Sequence, residues 1–379
     1  MQKLLIANRG EIAVRIARAA ADLGINSVAI YSEDDAASLH VRKADESIAL
    51  TGRGPRAYLD IEQIVDLAKK AGVDAIHPGY GFLSENAAFA RTTEAAGVTF
   101  VGPTPETLEA FGDKVRARTL AQSCDVPVLE GVGPVDAAAA RAFFSDLPHG
   151  RFMMIKAVSG GGGRGTRLVR DSGGIEEALD RAASEAASAF GDPALYVEEY
   201  LPHARHIEVQ VIGDGVSVSH LWERECSLQR RHQKIIEVAP SPGLHPDLRR
   251  RILDAAVRMA RAVSYRGLGT LEFLVPEDGN CFCFIEGNAR LQVEHTVTEE
   301  VLVLDLVRAQ LEIAQGKKLE ALSLDQASVP QCRGFAIEAR VNLESFAPDG
   351  TVRPLWRVGL PPVHARRHVT GSRRGPRYP

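Results

Sequence analysis

Short apolar runs alternate with amphipathic stretches over the first 112 residues of the chain. The apolar runs predict strands, and apolar side chains that recur every three or four residues predict helices. The predicted strands span residues 4–7, 27–31, 47–50, 75–77 and 99–101, and the predicted helices between them include 11–23, 61–71 and 87–96. This rhythm is typical of βαβ units, so residues 1–112 are predicted to form an α/β domain with a doubly wound parallel sheet.

Loops that follow the strands of such a sheet are where ligands bind. Asn8-Arg9-Gly10 follows the first strand, and residues 77–82 form a loop rich in glycine and proline after a later one. Structural turns are the commoner use of both residue types. Because no Gly-x-Gly-x-x-Gly follows the first strand, the pattern does not predict a dinucleotide site.

A second region begins near Gly112-Asp113 and mixes helices with longer strands. Its predicted helices span 115–122, 175–190 and 248–263, and its predicted strands span 152–156, 196–201, 206–212 and 269–275. A turn at 276–280 would return the chain as a hairpin into residues 281–285. The mixture predicts an α+β domain after the parallel sheet.

Residues 284–295 alternate polar and apolar positions with period two. In an extended segment, one side would carry only groups that chelate, clamp or accept protons, namely Glu286, Asn288, Arg290, Gln292 and Glu294. A strand with a solvent-exposed polar face is the plain alternative. We favour a lined cleft because residues 281–284 are apolar on both faces and predict a buried strand leading into it.

The predicted hairpin places Glu272 and Glu286 on adjacent antiparallel strands. Two carboxylates at that range repel each other unless a cation lies between them. With Asn288 close by, the oxygen ligands suit Mg²⁺ held against phosphate. An acid pair of a glycosidase is the rival chemistry, but it explains neither the lysines nor the glycine run described next.

A glycine-rich loop at 159–165 follows a predicted strand that ends in Lys156. Four consecutive glycines cannot form a stable core element, because glycine loses the most backbone entropy on ordering. Their amide groups could wrap phosphate oxygens while Lys156 supplies positive charge. A flexible linker is the alternative, and the spacing is not that of a Walker motif.

Two charged stretches allow a structural or a functional interpretation. His206, Glu208 and Gln210 alternate along a predicted strand, which is also typical of an antiparallel strand with a solvent-exposed face. Residues 223–234 combine acidic and basic side chains. A solvated surface is the usual explanation for such density, and a polyanion site is the other.

Composition restricts the class of protein. A chain of 379 residues with 45% hydrophobic and 25% charged residues predicts a globular protein of two or three domains. The sequence has no apolar run long enough to span a bilayer and no signal-peptide layout. Its five scattered cysteines fit a reducing compartment, so we expect the protein to be cytoplasmic.

The net charge is −4, yet residues 353–379 carry seven arginines and no acidic residue. A basic tail can bind nucleic acid, but this one has no periodicity, and we expect neither a nucleic-acid nor a membrane partner.

Six motifs together resemble the biotin carboxylase subunit or domain of biotin-dependent carboxylases, which belong to the ATP-grasp superfamily. The match runs from residue 1 to about Pro354, and its motifs are residues 6–13, 77–86, 112–114, 156–165, 229–234 and 290–299. The family usually has methionine where this chain has Gly287 and Thr166. The tail after Pro354 has no family likeness, so we expect a truncated or frameshifted C-terminal domain.

The resemblance implies three domains. Residues 1–112 would form the Rossmann-like N-terminal domain, residues 113–327 the ATP-grasp domain with a lid at about 130–203, and residues 328–379 an incomplete C-terminal domain with an atypical basic tail. No Ala-Met-Lys-Met biotin-attachment motif occurs. Biotin would therefore arrive on a separate carrier, or the chain would be part of a longer carboxylase.

The resemblance also implies roles for individual residues. The residues expected around ATP are Lys114, Lys156, Gly161, Gly162, Gly163, Glu198, His206, His232, Gln233 and Lys234, the last also counted as catalytic. Mg²⁺, or Mn²⁺, would be held by Glu272, Glu286 and Asn288. Bicarbonate would be positioned by Arg290, Gln292 and Val293. Glu294 would be its general base, and Arg340 would stabilise the biotin enolate.

The expected reaction converts ATP, bicarbonate and carrier-bound biotin to ADP, phosphate and carboxybiotin through carboxyphosphate. The expected partners are a biotin carboxyl carrier protein, a carboxyltransferase and a second copy of the chain. Two alternatives stay open. One is another ATP-grasp carboxylate ligase, and the other is an inactive nucleotide-binding remnant.

Overall fold

The computed structural model describes residues 1–341 except 149, 159–165, 231–232, 278 and 280, together with the backbone of 344–346 and 352–354. The chain divides into two compact units, Met1–Ala339 and Arg340–Pro379. Within the described part of the second unit, strands β16 (Glu344–Phe346) and β17 (Val352–Pro354) pair antiparallel. The rest of the predicted basic tail lies outside the described residues, and the predicted domain boundaries stay predictions.

The first sheet is the predicted parallel one. Its five strands lie in the order β3-β2-β1-β4-β5 and all pair in parallel. They are β1 (Lys3–Ile6), β2 (Asn26–Tyr31), β3 (Glu46–Ala49), β4 (Ala75–His77) and β5 (Thr99–Phe100). Leu4, Leu5 and Ile6 are fully buried, as expected of a strand covered on both faces.

Helices follow the predicted rhythm in this part of the chain. They are α1 (Gly10–Asp22), α2 (Leu39–Lys43), α3 (Ile61–Lys70), α4 (Ala87–Ala95), α5 (Pro105–Gly112) and α6 (Lys114–Ser123). Short 3₁₀ turns occur at Glu33–Asp35, Pro55–Leu59, Ser172–Gly174 and Glu320–Leu322. The Asp113 carboxylate caps α6 by accepting from the amides of Val115 and Arg116, which fixes where Lys114 begins the helix.

The loops after β1 and β4 meet where the strand order reverses. The Asn8 amide donates to the carbonyls of Pro78, at 2.7 Å, and Tyr80, at 2.8 Å. Gly79 has φ +65°, and a Cβ there would lie 2.8 Å from Asn8 Nδ2, so the contact requires glycine. This packing fixes the loop at residues 78–80.

A six-stranded antiparallel sheet forms the centre of the first unit, in the order β14-β13-β10-β11-β12-β15. Its strands are β10 (Arg205–Asp214), β11 (Val218–Arg230), β12 (Gln233–Ala239), β13 (Arg266–Val275), β14 (Cys283–Asn288) and β15 (Ala336–Ala339). Helices α9 (Pro246–Ala262), α10 (His295–Leu302) and α11 (Leu306–Ala314) complete it. One hydrophobic core contains Leu5 and Phe100 as well as Val209 and Phe273, so both sheets share it.

A smaller sheet occupies the region of the predicted lid. Its strands lie in the order β6-β9-β7-β8 and are β6 (Gly131–Val132), β7 (Phe152–Ala157), β8 (Arg167–Val169) and β9 (Leu195–Tyr200). Helices α7 (Ala137–Asp146) and α8 (Ile175–Phe190) belong to this region. Its buried apolar side chains, which include Met153, Ile155, Leu179 and Val197, form a cluster of their own.

The extended segment predicted for residues 284–295 is correct only as far as Asn288. Strand β14 ends there, residues 289–294 are irregular, and α10 begins at His295. The buried strand predicted for residues 281–284 is correct in part. Phe282 and Phe284 are buried, whereas Cys281 is exposed and Cys283 is partly exposed on the edge strand β14. Gly287 packs against Phe111, since a Cβ at this position would lie 2.4 Å from its ring.

None of the helices among the described residues has the length and apolar character needed to cross a membrane.

Candidate active site

A cavity of 280 Å³ lies between the small sheet and the edge of the central sheet. Charged residues from both sheets and from the start of α6 line it, namely Lys114, Lys156, Glu198, Glu199, His206, Glu272 and Glu286. Apolar side chains such as Met154, Leu274 and Ile285 form other parts of the wall. A cavity with apolar walls and a few convergent charges is typical of a small-molecule site.

Two lysines project into this cavity, and each pairs with a glutamate. Lys156 of β7 forms an ion pair with Glu198 of the neighbouring strand β9, and Lys114 Nζ lies 3.1 Å from Glu286 Oε2. Burial alone would lower the pKa of Lys114, but Glu286, with smaller contributions from Glu198 and Glu85, raises it above its usual value. Both lysine sites therefore offer fixed positive charge to an anion.

A second lysine–carboxylate cluster lies beside the cavity. Lys234 Nζ lies 2.5 Å from Glu208 Oε2, 2.9 Å from Glu272 Oε1 and 2.7 Å from Glu294 Oε1. All three carboxylates are buried. Burial alone would lower the pKa of Lys234, but Glu208, Glu272 and Glu294 raise it well above its usual value. A single ammonium thus holds three carboxylates together.

Glu272 is the residue common to the cavity wall and this cluster. Its Oε1 also accepts from Asn288 Nδ2 at 2.7 Å and from Gln292 Nε2 at 3.1 Å, and His206 Nε2 lies 2.5 Å from its Oε2. Burial would raise the pKa of Glu272, but Lys234 and His206 hold it well below its usual value. The carboxylate is therefore ionised at neutral pH.

Arg290 connects the site to the parallel sheet. Its Nε donates to Glu85 Oε2 at 2.8 Å, and its Nη2 donates to Asn288 Oδ1 at 3.1 Å. Val293 is half-buried in the turn before α10, and its carbonyl lies 3.1 Å from His295 Nδ1. The side chains predicted to face one cleft, at 272, 286, 290 and 294, are thus linked through Asn288, Lys234 and the cavity wall.

The donor set fits a divalent cation. Glu272 and Glu286 are partners on β13 and β14, and both line the cavity. The pKa of Glu286 is lowered first by Lys114, although burial and Glu272 oppose this. Two ionised carboxylates and the Asn288 amide oxygen are the hard ligands that Mg²⁺ prefers. His206, Glu208 and Glu272 also form a compact group of possible metal ligands.

Several predicted site residues are not brought into this arrangement. Gly161, Gly162, Gly163 and His232 lie outside the described residues. Gln233 begins β12 and is exposed, and Arg340 begins the second compact unit. Their roles stay predictions.

Three residues of the site were missed by the sequence reasoning. Glu208 and Arg224 are fully buried and form an ion pair, so the solvent-exposed faces considered for 206–210 and for 223–234 are wrong at these positions. Glu85 contacts Arg290. The signal for Glu208 was present in its alternation with His206, but periodicity cannot distinguish a polar face that meets water from one that meets buried charge.

The pH dependence of stability tests the His206–Glu272 contact. Burial would lower the pKa of His206, but Glu272 raises it above its usual value. A raised pKa contributes stability fully below the unfolded pKa of about 6.5 and loses it as pH rises through the folded value. We therefore expect His206→Asn to lose about 2 kcal/mol near pH 6 and less near pH 9 in urea unfolding.

The control for this experiment is His245→Asn. His245 is exposed and caps α9 by accepting from the Asp247 amide, and asparagine is an equally good N-cap. This variant should show no comparable trend with pH. A loss at His206 that stays constant from pH 6 to 9 would contradict the assigned ion pair.

Comparisons with known proteins show the family to which the chain belongs. The family described as the carbamoyl-phosphate synthase L chain, ATP-binding domain, matches residues 113–322, and the biotin carboxylase N-terminal domain family matches residues 1–108. The biotin carboxylase of Campylobacter jejuni, solved as a β,γ-ATP complex, has a TM-score of 0.86 and 41% identity over 90% of this chain and 76% of that chain.

Two further relatives resemble the chain over most of its length. The biotin carboxylase domain dimer of Hydrogenobacter thermophilus 2-oxoglutarate carboxylase, solved with MgADP, ADP and bicarbonate, has a TM-score of 0.85 and 42% identity over 90% of this chain and 75% of that chain. Pyruvate carboxylase of Aspergillus niger is 51% identical over 358 residues, which are 92% of this chain and 30% of that protein. The chain belongs to the biotin carboxylase family, and it spans about a third of the length of the pyruvate carboxylases it matches.

Proposed function

We propose that the chain carboxylates biotin held on a carrier protein, using ATP and bicarbonate, as the first half-reaction of an acyl-CoA or pyruvate-type carboxylase. The observation that carries the proposal is the contact of Lys234 with Glu208, Glu272 and Glu294 beside a cavity that holds two further lysines. This arrangement would set the proposed base, Glu294, near lysines that could bind phosphate. Relatives solved with MgADP, β,γ-ATP or bicarbonate support the assignment.

The nucleotide end of the site would use the cavity. Lys114 and Lys156 would supply positive charge for phosphate oxygens, with Glu198 and His206 on the same wall. Gln233 is proposed to lie near the nucleotide, and the loop at 160–165, which is outside the described residues, to be part of a closing lid. Glu272, Glu286 and Asn288 would hold Mg²⁺, which when bound neutralises phosphate charge. Phosphoryl transfer depends mainly on positioning and on such neutralisation.

The bicarbonate end would use the irregular segment after β14. Arg290, Gln292 and the Val293 backbone would orient the anion, and Glu294 would remove its proton. The bicarbonate oxygen then attacks the γ-phosphorus, the bond to ADP breaks, and carboxyphosphate forms. The Lys234 ammonium, 2.7 Å from Glu294, would stabilise the charge of the base and then the charge on the departing groups.

The second step would transfer the carboxyl group. Carboxyphosphate separates into CO₂ and phosphate, and the phosphate accepts the proton of the biotin ureido nitrogen. Arg340 is proposed to stabilise the enolate that results, which then bonds to CO₂ to give carboxybiotin. Exclusion of water limits hydrolysis of carboxyphosphate.

Turnover and ligand-dependent stability test the proposal together. We expect ATP hydrolysis that requires bicarbonate and increases with free biotin, and a stabilisation of about 2.7 kcal/mol at a MgATP concentration 100 times the Kd. Lys156→Met should weaken both, whereas Lys70→Met, at an exposed position of α3, should change neither.

The outcomes separate the alternatives. Turnover that depends on a different carboxylate would favour another ATP-grasp ligase. Absence of any stabilisation by MgATP would favour an inactive remnant.

We also infer a homodimer in the cytoplasm that works with a biotin carboxyl carrier protein and a carboxyltransferase. The dimer of the Hydrogenobacter thermophilus domain supports the first part. Size-exclusion chromatography with light scattering tests it, since a dimer has twice the 40.9 kDa chain mass.

A further inference from the structure

Arg224 is a fully buried arginine on β11 whose guanidinium bonds to five side chains. Its Nη1 lies 2.8 Å from Gln210 Oε1 and 2.9 Å from Thr298 Oγ1. Its Nη2 lies 3.1 Å from Thr270 Oγ1 and 3.3 Å from Gln292 Oε1, and its Nε donates to Glu208. Because it has no exposed surface, Arg224 cannot touch a ligand in the cavity.

The partners of Arg224 carry residues of the site. Glu208 accepts from Lys234 through its other oxygen, and Gln292 donates to Glu272. Thr298 lies on α10, which begins directly after Glu294. The guanidinium therefore joins β10, β13, the irregular segment and α10 at their point of convergence.

Arg224 also determines which way the Gln292 amide points. A guanidinium has five donors and no acceptor, so it can bond only to the Gln292 oxygen. The Gln292 NH₂ group is then directed toward Glu272 and the bicarbonate end of the proposed site. The Glu272 carboxylate, which can only accept, selects the same orientation from the other side, so Arg224 and Glu272 hold the amide between them.

We propose that Arg224 is a positioning residue for the bicarbonate step, acting through the Gln292 amide and the Glu208–Lys234 pair. This inference rests on the proposed function and deepens it. Stability alone is a poor explanation for a buried arginine, because well-packed apolar side chains often stabilise a core as well as a buried ion pair does, or better. Five directed bonds to the walls of one site fit a positioning role.

The matched control is Arg249 of α9. Its Nε lies 2.8 Å from Glu223 Oε1, and its Nη2 lies 2.9 Å from the Ser241 carbonyl. Glu223 is buried and precedes Arg224 on β11, so the two side chains point to opposite faces of the sheet. Arg249 thus pairs with a buried glutamate of the same strand, but its own side chain is partly exposed and does not contact the site.

The experiment compares Arg224→Lys with Arg249→Lys in the full chain. For Arg224→Lys we expect kcat/KM for bicarbonate to fall about 100-fold, as expected for a small misplacement of reacting groups, with the KM for ATP within about threefold of the parent. Arg249→Lys should leave both within about threefold. Equal losses for bicarbonate and ATP, or equal losses in the two variants, would overturn the inference.

A double-mutant cycle with Gln292→Ala tests whether Arg224 affects the bicarbonate step through Gln292. If Arg224 acts through Gln292, the losses in kcat/KM for bicarbonate will be clearly less than additive, whereas independent effects will add. Thr298→Val and Thr270→Val keep the arginine and remove one anchor each. These two variants should show a smaller loss in kcat/KM for bicarbonate. They test the inference even if the Arg224→Lys protein is unstable.

The parent protein separates this inference from the proposed function. A parent without bicarbonate-dependent turnover contradicts the proposed function and the inference with it. If the parent turns over and the Arg224→Lys, Thr270→Val and Thr298→Val variants have the same kcat/KM for bicarbonate, only the role of Arg224 is contradicted.

Discussion

Glu294→Gln is expected to lose bicarbonate-dependent ATP turnover by about 10²- to 10⁴-fold, the usual contribution of a general base. The amide has nearly the shape of the carboxylate and can still accept from Lys234, which lies 2.7 Å from Glu294 Oε1, but it cannot take a proton from bicarbonate. Since Glu294 is not among the residues that line the nucleotide cavity, the stabilisation by MgATP should persist. Steady-state kinetics and thermal melting with MgATP measure the two effects separately.

Glu300→Gln is the matched control, because Glu300 is exposed on α10, the helix that Glu294 precedes. It removes the same charge from a nearby position in the chain and should retain parental turnover. A Glu294→Gln protein that turns over normally would remove Glu294 from the mechanism. Equal losses in both variants would instead indicate a general effect of charge.

Lys234→Met is expected to destabilise the fold by about 3–5 kcal/mol, the usual effect of removing one partner from a buried ion pair. Lys234 is the shared partner of three buried carboxylates, Glu208, Glu272 and Glu294. The variant leaves them without that ammonium, so turnover should be lost as well. Urea unfolding of the parent and the variant measures the difference.

The loss of stability in the Lys234→Met variant should depend on pH. The lowered pKa of Glu272 contributes stability that is present above the unfolded value of about 4.3 and is lost as pH falls below it. The difference between the parent and Lys234→Met should therefore stay near its full size from pH 7 down to about pH 4.3 and shrink only in more acidic solution. A deficit that grows in acid would contradict the cluster.

Lys3→Met provides the comparison for Lys234→Met. The Lys3–Glu46 pair has a distance of 2.8 Å but lies partly exposed, and exposed pairs contribute about 1 kcal/mol or less. A loss at Lys234 no larger than the loss at Lys3 would mean that the three carboxylates do not depend on the buried ammonium.

Much of the fold could be predicted because apolar and polar side chains alternate regularly along its helices and strands. Helix α8 begins at Ile175 and ends at Phe190 as predicted, and the parallel sheet follows from the alternation of strands and helices. The irregular segment after Asn288 could not be predicted. Its residues alternate as a strand would, and only the packing of Ala289 and Leu291 into the interior shows how the chain turns.

The site was predicted in part because its residues lie close together in sequence, as Glu286, Asn288 and Glu294 do. Glu208 and Arg224 belong to other strands, and each looks like an ordinary polar residue in an alternating pattern. Their burial depends on pairing between β10 and β11, where Glu208 and Arg224 are register partners. Such long-range pairing is not encoded in any single segment.

The small sheet over the cavity holds a hydrophobic cluster separate from the two larger ones. Because the apolar interior of this sheet is complete within its own strands and helices, a change in its contacts with the central sheet would not require that interior to be repacked. The shape of this wall of the cavity is therefore determined by packing within the small sheet itself.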